Sequence, residues 1–154
     1  MNPTPRQQEF VMRPIGIIHS PFIVKSNTPI QPPRLQAVGR VEVFPEFADV
    51  LQGLEGFSHI ILLYVFNQSN GFSLTVQPFL DDRCHGWFAT RHPCRPNPIG
   101  LSVVQLQARH DCIINIEEVD VLNGTPLLDI KPYVPDFDVR TDVKTGWYAN
   151  RSKE

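Results

Sequence analysis

The chain is poor in charge. Asp, Glu, Lys and Arg make up 19% of its 154 residues and sum to −2. That balance excludes the overall basic signature of a protein that grips a long nucleic-acid duplex. Cysteine is scarce as well. Cys84, Cys94 and Cys112 are odd in number and include no C-x-x-C pair, which disfavours a disulfide framework or a ribbon-type zinc site. Long apolar runs are missing: the longest, Ile60 to Phe66, is far too short to span a bilayer. Met1 to Val11 is polar and lacks the apolar stretch of a signal peptide. These absences lead to the expectation of a cytoplasmic protein without membrane attachment. The G-x-G-x-x-G turn, the P-loop, H-E-x-x-H and G-x-S-x-G are absent too. Doubly wound nucleotide folds, P-loop NTPases, zincins and α/β serine hydrolases are thereby set aside.

What the chain has in excess is proline, 15 residues spread between short apolar runs. Each proline fixes φ and removes a donor, so the pattern punctuates many short elements and disfavours a helical bundle. Strands are expected at Pro14 to Ser20, Val38 to Phe44, His59 to Phe66, Leu74 to Pro78, Gly86 to Thr90, Leu101 to Ala108, Ile113 to Leu122 and Pro126 to Pro132. The continuously apolar His59 to Phe66 is expected to be buried on both faces. Pro45 to Leu54 carries Phe47, Val50, Leu51 and Leu54 at helical spacing, with Gly53 and Gly56 to end it. Asn70-Gly71 and Asn123-Gly124 mark turns, as does the region of His110-Asp111. Ile23 to Leu35 is a proline-rich loop, and the segment after Asp136 is polar, with Trp147 and Tyr148 able to dock on the body. The fold class is mainly β, a barrel or rolled sheet with one or two short helices. The expected domain plan is an N-terminal arm over residues 1–13, a barrel over 14–148 and a tail over 149–154.

The most telling stretch is Ala89 to Val104, A-T-R-H-P-C-R-P-N-P-I-G-L-S-V-V. Pro93, Pro96 and Pro98 prevent Arg91 to Pro98 from being helix or central strand. A stiff loop bearing two arginines and an asparagine suits a polar ligand, because little entropy is lost on binding. From Arg83 to Arg109 there are four arginines, two histidines and no carboxylate, whereas Asp111 to Asp142 holds eight carboxylates against two basic residues. One positively biased surface on a mildly acidic protein points to an anionic ligand. Cys84-His85 and His92-x-Cys94 place four possible metal ligands close together. Adjacent Cys-His side chains diverge, and Pro93 splits the second pair, so no metal site is assigned. A cysteine nucleophile paired with His59 or His92 is disfavoured, since nothing in the sequence places them together.

Four segments carry a family likeness: P-I-G-I-I-H-S-P-F (Pro14 to Phe22), G-L-E-G-F-S-H (Gly53 to His59), R-x-P-x-R-P-N-P-I-G-L-S (Arg91 to Ser102) and N-G-T-P-x-x-D-I-K-P-Y (Asn123 to Tyr133). In this order and spacing they resemble the TrmO (TsaA-like, YaeB) family over Pro14 to Pro135. The resemblance implies a single-sheeted antiparallel β-barrel and a homodimer that uses S-adenosylmethionine. It implies methylation of N6 of threonylcarbamoyladenosine beside the tRNA anticodon. By the same resemblance Gln31, Pro32, Pro33, Asn67, Gln68, Arg91, Leu101, Thr125, Pro126, Leu127 and Leu128 hold the cofactor. Asn67 stands where the family usually has His, and Asn123 where it usually has Asp. Longer members continue into a C-terminal domain that helps to grip tRNA, whereas this chain stops soon after Tyr148. A small-metabolite acceptor and a non-catalytic binding module therefore stay open as alternatives.

The chemistry sets further expectations. Methyl transfer from a sulfonium needs in-line approach, and a ureido N6–H is a weak nucleophile that an acceptor would assist. Asp129 is the first candidate for that base and His59 the second; the Asp129–Lys131 pair can equally order a strand end. Arg34, Arg95, Asn97, Lys131 and Tyr133 are the candidates to hold substrate, through its phosphates or its carboxylate.

Overall fold

The structure is a computed structural model that describes residues 6, 8–25, 36–71 and 73–151. Six strands close into an antiparallel barrel in the order β1 (Gly16–His19), β2 (Val38–Val43), β7 (Ile113–Glu117), β6 (Ile99–His110), β3 (His59–Val65) and β8 (Thr125–Pro132), which pairs back with β1. The remaining two, β4 (Thr75–Val76) and β5 (His85–Gly86), form a separate two-stranded ribbon. Closure removes every edge from the main sheet.

The barrel follows from period-two alternation. Ile18, Val41, Val43, Ile60, Leu62, Val104, Ile114, Ile116 and Leu127 all point inward and are almost wholly buried. Each contributes about 1.5–3 kcal/mol relative to exposure. Loops seal the end of the barrel where β3 finishes and β6 and β8 begin. Residues 118–124 cross it, with Val119 and Val121 buried in the core. Val119 N–H donates to Ala37 O at 3.2 Å, and Ser20 Oγ donates to Val121 O at 2.5 Å.

Several elements differ from expectation. β3 is not buried on both faces: Ile60, Leu62 and Tyr64 enter the core, while Ile61, Leu63 and Val65 lie half-buried on the outer wall. A closed sheet has a single interior, so an all-apolar strand must place every second side chain outside it. Pro45–Leu51 is a 3₁₀ segment, and left-handed Gly53 (φ 85°) breaks the chain before a second 3₁₀ turn at Leu54–Gly56. The strand expected at Gly86 to Thr90 is strand only to Gly86, because Trp87–Ala89 turns as 3₁₀ to bury Trp87. The strand at Leu74 to Pro78 shrinks to two residues, and that at Ile113 to Leu122 ends at Glu117, where Glu118 adopts φ 67°. The polar C-terminal region contains α1 (Pro135–Asp138) and a 3₁₀ segment at Gly146–Asn150. Trp147 does dock: its Nε1 donates to Ala89 O at 2.7 Å, and its ring stacks on His85 with centroids 5.0 Å apart.

Candidate functional site

The β3 register organises this end of the barrel. Leu63, Tyr64 and Val65 face Leu101, Gly100 and Ile99 on β6, while Leu63 faces Asp129 and Tyr64 faces Leu127 on β8, with a bulge between the last two pairs. Phe66 N–H donates to Pro98 O at 2.8 Å, which carries the β3–β6 pairing into the proline-rich loop. Beside this junction lies a cavity of about 200 Å³ lined by Tyr64, Phe66, Arg91, Arg95, Ile99, Gly100 and Leu101. Gly100 lets its aromatic wall pack against β6. A Cβ there would fall 2.1 Å from Tyr64 Cε2 and 2.8 Å from Phe66 Cζ, so the two rings, edge to face at 5.4 Å, occupy the space a side chain would fill.

The loop is set by its own backbone. Arg95 N–H donates to Pro93 O at 2.9 Å, and Ile99 N–H donates to Asn97 O at 2.7 Å. Arg95 Nη1 donates to Thr90 O at 2.9 Å and to His92 O at 3.3 Å, so this guanidinium is held before any ligand arrives. Arg91 makes no ion pair among the described residues. Its charge reaches the buried Asp120 and Tyr64 only at longer range.

Behind the cavity lies a buried polar chain. The hydroxyls of Tyr64 and Ser102 share a hydrogen bond of 2.8 Å, and Ser102 Oγ donates to Asp120 Oδ1 at 2.5 Å. Burial raises the Asp120 carboxyl above its ordinary range, opposed by the bond from Ser102 and by the charge of Arg91. Burial likewise pushes the Tyr64 phenol upward, so it stays protonated as a donor.

The expected residues fall into groups. Arg91, Arg95 and Leu101 line the cavity. Asn67 and Gln68 directly follow β3, where Asn67 N–H donates to Val65 O at 2.9 Å and Gln68 O accepts from Lys25 Nζ at 2.6 Å. On β8 the side chains of Thr125 and Leu127 turn into the core, and the Thr125 hydroxyl donates to Leu122 O at 2.6 Å. Pro126 and Leu128 are half-buried. Asn97 is exposed in the loop. Gln31, Pro32, Pro33 and Arg34 lie outside the described residues.

The two candidate bases are not brought together. Asp129 stands across β3 from Leu101, roughly 10 Å away at two strand spacings. Its Oδ2 accepts from Lys131 Nζ at 2.8 Å, and Oδ1 accepts from the Ile130 N–H at 2.9 Å. His59 lies four residues farther along β3, roughly 13 Å from Leu63. There Nδ1 shares a 2.9 Å hydrogen bond with Ser58 Oγ, and the ring meets Tyr133 edge-on at 6.3 Å.

The Cys/His cluster is used otherwise. His85 Nε2 bonds Asp81 Oδ2 at 2.8 Å, a bond that holds the Asp81 carboxyl down to about 2. His92 tilts against Trp87, and its Nδ1 accepts from Cys94 N–H at 3.3 Å. Among the described residues no three His, Cys, Asp or Glu side chains could hold a metal ion. Nor is any helix among them long and apolar enough to cross a membrane.

Tyr64, Phe66, Gly100, Ser102 and Asp120 were not singled out from the sequence. Gly100 and Ser102 sit inside the P-N-P-I-G-L-S run, and Tyr64 obeys the inward alternation of β3. Asp120 carries no local signal, because its importance depends on a chain crossing.

Comparison with known proteins agrees with this architecture. The family model for the tRNA-methyltransferase O N-terminal domain matches residues 17–139. A probable S-adenosyl-L-methionine-binding protein of Pyrococcus abyssi is 56% identical over 136 residues, 88% of this chain and 74% of that protein. The tRNA (adenine(37)-N6)-methyltransferase of Escherichia coli is 38% identical over 149 residues, 90% of this chain and 63% of its own length. The crystal structure of TrmO from Pseudomonas aeruginosa superposes with a TM-score of 0.77 at 40% identity, over 90% of this chain and 62% of that one. The chain thus spans a little under two thirds of these two bacterial proteins. It belongs to the family of the tRNA-methyltransferase O N-terminal domain.

Proposed function

We propose that this chain is an S-adenosylmethionine-dependent methyltransferase that modifies N6 of an adenosine beside the tRNA anticodon. The observation that carries the reading is the convergence of Arg91, Arg95 and Leu101 on one aromatic-walled cavity, with Asn67 and Gln68 next in the chain after its Phe66. Relatives named for binding S-adenosylmethionine and for methylating adenine 37 of tRNA support it.

The residues present fit such a cofactor. The cavity is smaller than the roughly 300–1,000 Å³ of whole ligand sites, so it takes one moiety. Arg91, which makes no ion pair among the described residues, suits the carboxylate of an amino-acid group, with Phe66, Ile99 and Leu101 as the apolar wall beside it. When bound, the cofactor supplies an electrophilic methyl carbon on a sulfonium. Our reading gives Asn67, Gln68 and the β8 segment from Thr125 to Leu128 the rest of the cofactor, together with Gln31, Pro32 and Pro33. Arg34, Arg95, Asn97, Lys131 and Tyr133 hold the acceptor. Asp129, and next to it in preference His59, accepts the N6 proton.

We further place the protein in the cytoplasm, as a homodimer. Ile99, Leu101 and Val103 on β6 leave about two fifths of their surface exposed beside the half-buried Ile61, Leu63 and Val65 of β3. A second copy would cover this apolar wall and close the site next to Leu101. A second reading, a cofactor-binding module without transfer, is favoured only by the archaeal relatives' description as binding proteins.

Calorimetric titration with S-adenosylmethionine, followed by transfer of labelled methyl to tRNA, tests the proposal. Saturable binding of one equivalent per subunit, weakened about tenfold or more by Arg91→Ala, is expected, with label in the RNA. A folded protein that binds no cofactor overturns it, and cofactor binding without transfer selects the second reading.

A further inference from the structure

One large ring is held in solvent by an unusually well-anchored backbone. The 3₁₀ turn Trp87–Ala89 buries Trp87 to 7% exposure and turns Phe88 outward to 85%. Thr90 N–H and Thr90 Oγ1 both donate to Trp87 O at 3.0 Å, while Trp147 Nε1 donates to Ala89 O at 2.7 Å. Phe88 therefore projects from a fixed turn, and nothing in the described protein covers it. Phe10, Phe79 and Phe137 are exposed as well; what sets Phe88 apart is the anchored turn beneath it and the arginine beside it.

The surroundings state what kind. The Arg95 guanidinium lies 6.0 Å from the Phe88 ring centroid, and two carbonyls hold it there, Thr90 O and His92 O. Arg95 also lines the cavity assigned above to the cofactor, so one guanidinium neighbours both the Phe88 ring and that cavity. Of the arginines in this stretch, Arg91 and Arg95 stand on the same loop, whereas Arg83 pairs with Asp81 and Arg109 with Glu55 at the other end of β6. A flat apolar ring beside fixed positive charge matches an unpaired nucleobase, whose π-face stacks while its phosphate meets the arginine. A second copy of this chain fits poorly, since a two-fold contact here would bring like-charged arginines together.

We propose that Phe88, flanked by Arg95, is a stacking platform for an unpaired nucleobase adjoining the acceptor adenosine of the RNA substrate. The inference rests on the reading of RNA as methyl acceptor and adds to it a named recognition surface. Stacking is indifferent to base identity, so the platform grips a loop nucleotide without reading its sequence. It requires the acceptor to stand in a single-stranded loop, because a duplex buries the faces that would stack.

The test uses the full chain and an anticodon stem-loop RNA with 2-aminopurine beside the acceptor adenosine. Phe88→Ala is expected to weaken RNA binding and raise its KM by roughly 5- to 150-fold, the equivalent of about 1–3 kcal/mol per stacked base. S-adenosylmethionine affinity should stay as in the wild type. Phe88→Trp should restore RNA binding and the quenching of 2-aminopurine, and Phe88→Leu should not. Stacking carries no charge, so Phe88→Ala should leave the salt dependence unchanged, whereas Arg95→Ala should shallow its slope by about one. RNA binding by Phe88→Ala or Phe88→Leu equal to wild type overturns the platform while the RNA reading stands. A wild-type protein that binds S-adenosylmethionine but no RNA overturns both.

Discussion

Ser102 Oγ donates to Asp120 Oδ1 at 2.5 Å and shares its other hydrogen bond with the Tyr64 hydroxyl at 2.8 Å. The carboxylate fixes the sense of the chain. Ser102 spends its proton on Asp120, so Tyr64 must donate to Ser102. The Tyr64 ring, which packs on Gly100 and lines the cavity, is thereby locked at its hydroxyl end. Tyr64 comes from β3, Ser102 from β6 and Asp120 from the segment crossing the barrel mouth. The chain thus couples the cavity wall to the plug beneath it.

This arrangement predicts a pH dependence. Burial raises the Asp120 carboxyl above its ordinary value of 3.8, so the folded protein holds that proton more tightly than the unfolded chain. The stability contribution is complete below the unfolded value and is lost as pH rises through the raised one. Asp120→Asn cannot ionise and keeps an acceptor for Ser102. Urea denaturation from about pH 4 to pH 7 should show a wild-type decline that this variant lacks. Equal slopes in the two proteins would refute the assignment. Ser102→Ala should instead destabilise at every pH, by about 1–3 kcal/mol, because it strands both the Asp120 carboxyl and the Tyr64 hydroxyl.

Gly100→Ala tests the cavity wall. The new methyl would stand 2.1 Å from Tyr64 Cε2 and 2.6 Å from Tyr64 Cζ, and the ring is tethered through Ser102, so it cannot simply swing away. Overpacking of this kind costs about 1–3 kcal/mol. A lower melting temperature together with loss of S-adenosylmethionine binding is expected in calorimetry. Unchanged cofactor affinity in a folded variant would mean that the cofactor lies elsewhere.

Trp147 ties the C-terminal 3₁₀ segment to the ribbon that precedes the arginine loop, through Ala89 O and the face of His85. Trp147→Ala should weaken binding of S-adenosylmethionine and RNA several-fold by loosening Arg91 and Arg95, with the barrel core intact. Amide hydrogen exchange should rise in residues 85–95 and not in β3 or β6. Exchange unaltered in that loop would show that the docking is incidental.

The barrel was legible because its signal is local. Val38 to Phe44 and His59 to Phe66 alternate or run apolar between prolines and glycines, and each became a strand with its inward set in the core. What the pattern could not give was the side of the wall: Ile61 and Leu63 are as apolar as Ile60 and Leu62, and only closure decides which pair is inside. The Arg91 to Ser102 run revealed the cavity rim, since proline stiffness is written residue by residue. Asp120 escaped because its partner, Ser102, is 18 residues away on another element. Phe88 escaped because an exposed ring and a buried one, Trp87, are neighbours in an ordinary apolar dipeptide.

The separation of the two candidate bases yields the last prediction. Asp129 and His59 lie on the outer face of the same β3–β8 pair, four residues apart along it. Contact with one reacting nitrogen is thus open to only one of them. Asp129 is closer to Leu101 and to the cavity, and Lys131 Nζ at 2.8 Å keeps its charge in place. Asp129→Asn removes the acceptor of the N6 proton while preserving shape, so kcat should fall by about 10²–10⁴-fold, the usual worth of general base catalysis. Its affinity for S-adenosylmethionine should hold. His59→Gln, roughly 13 Å down the strand, should change kcat less than about threefold and act mainly on KM for RNA. Single-turnover methyl transfer with saturating RNA separates the two cases. A loss confined to His59→Gln would move the reacting centre toward Tyr133 and away from the arginine cavity, and a loss in neither would make the acceptor nitrogen its own proton donor to water.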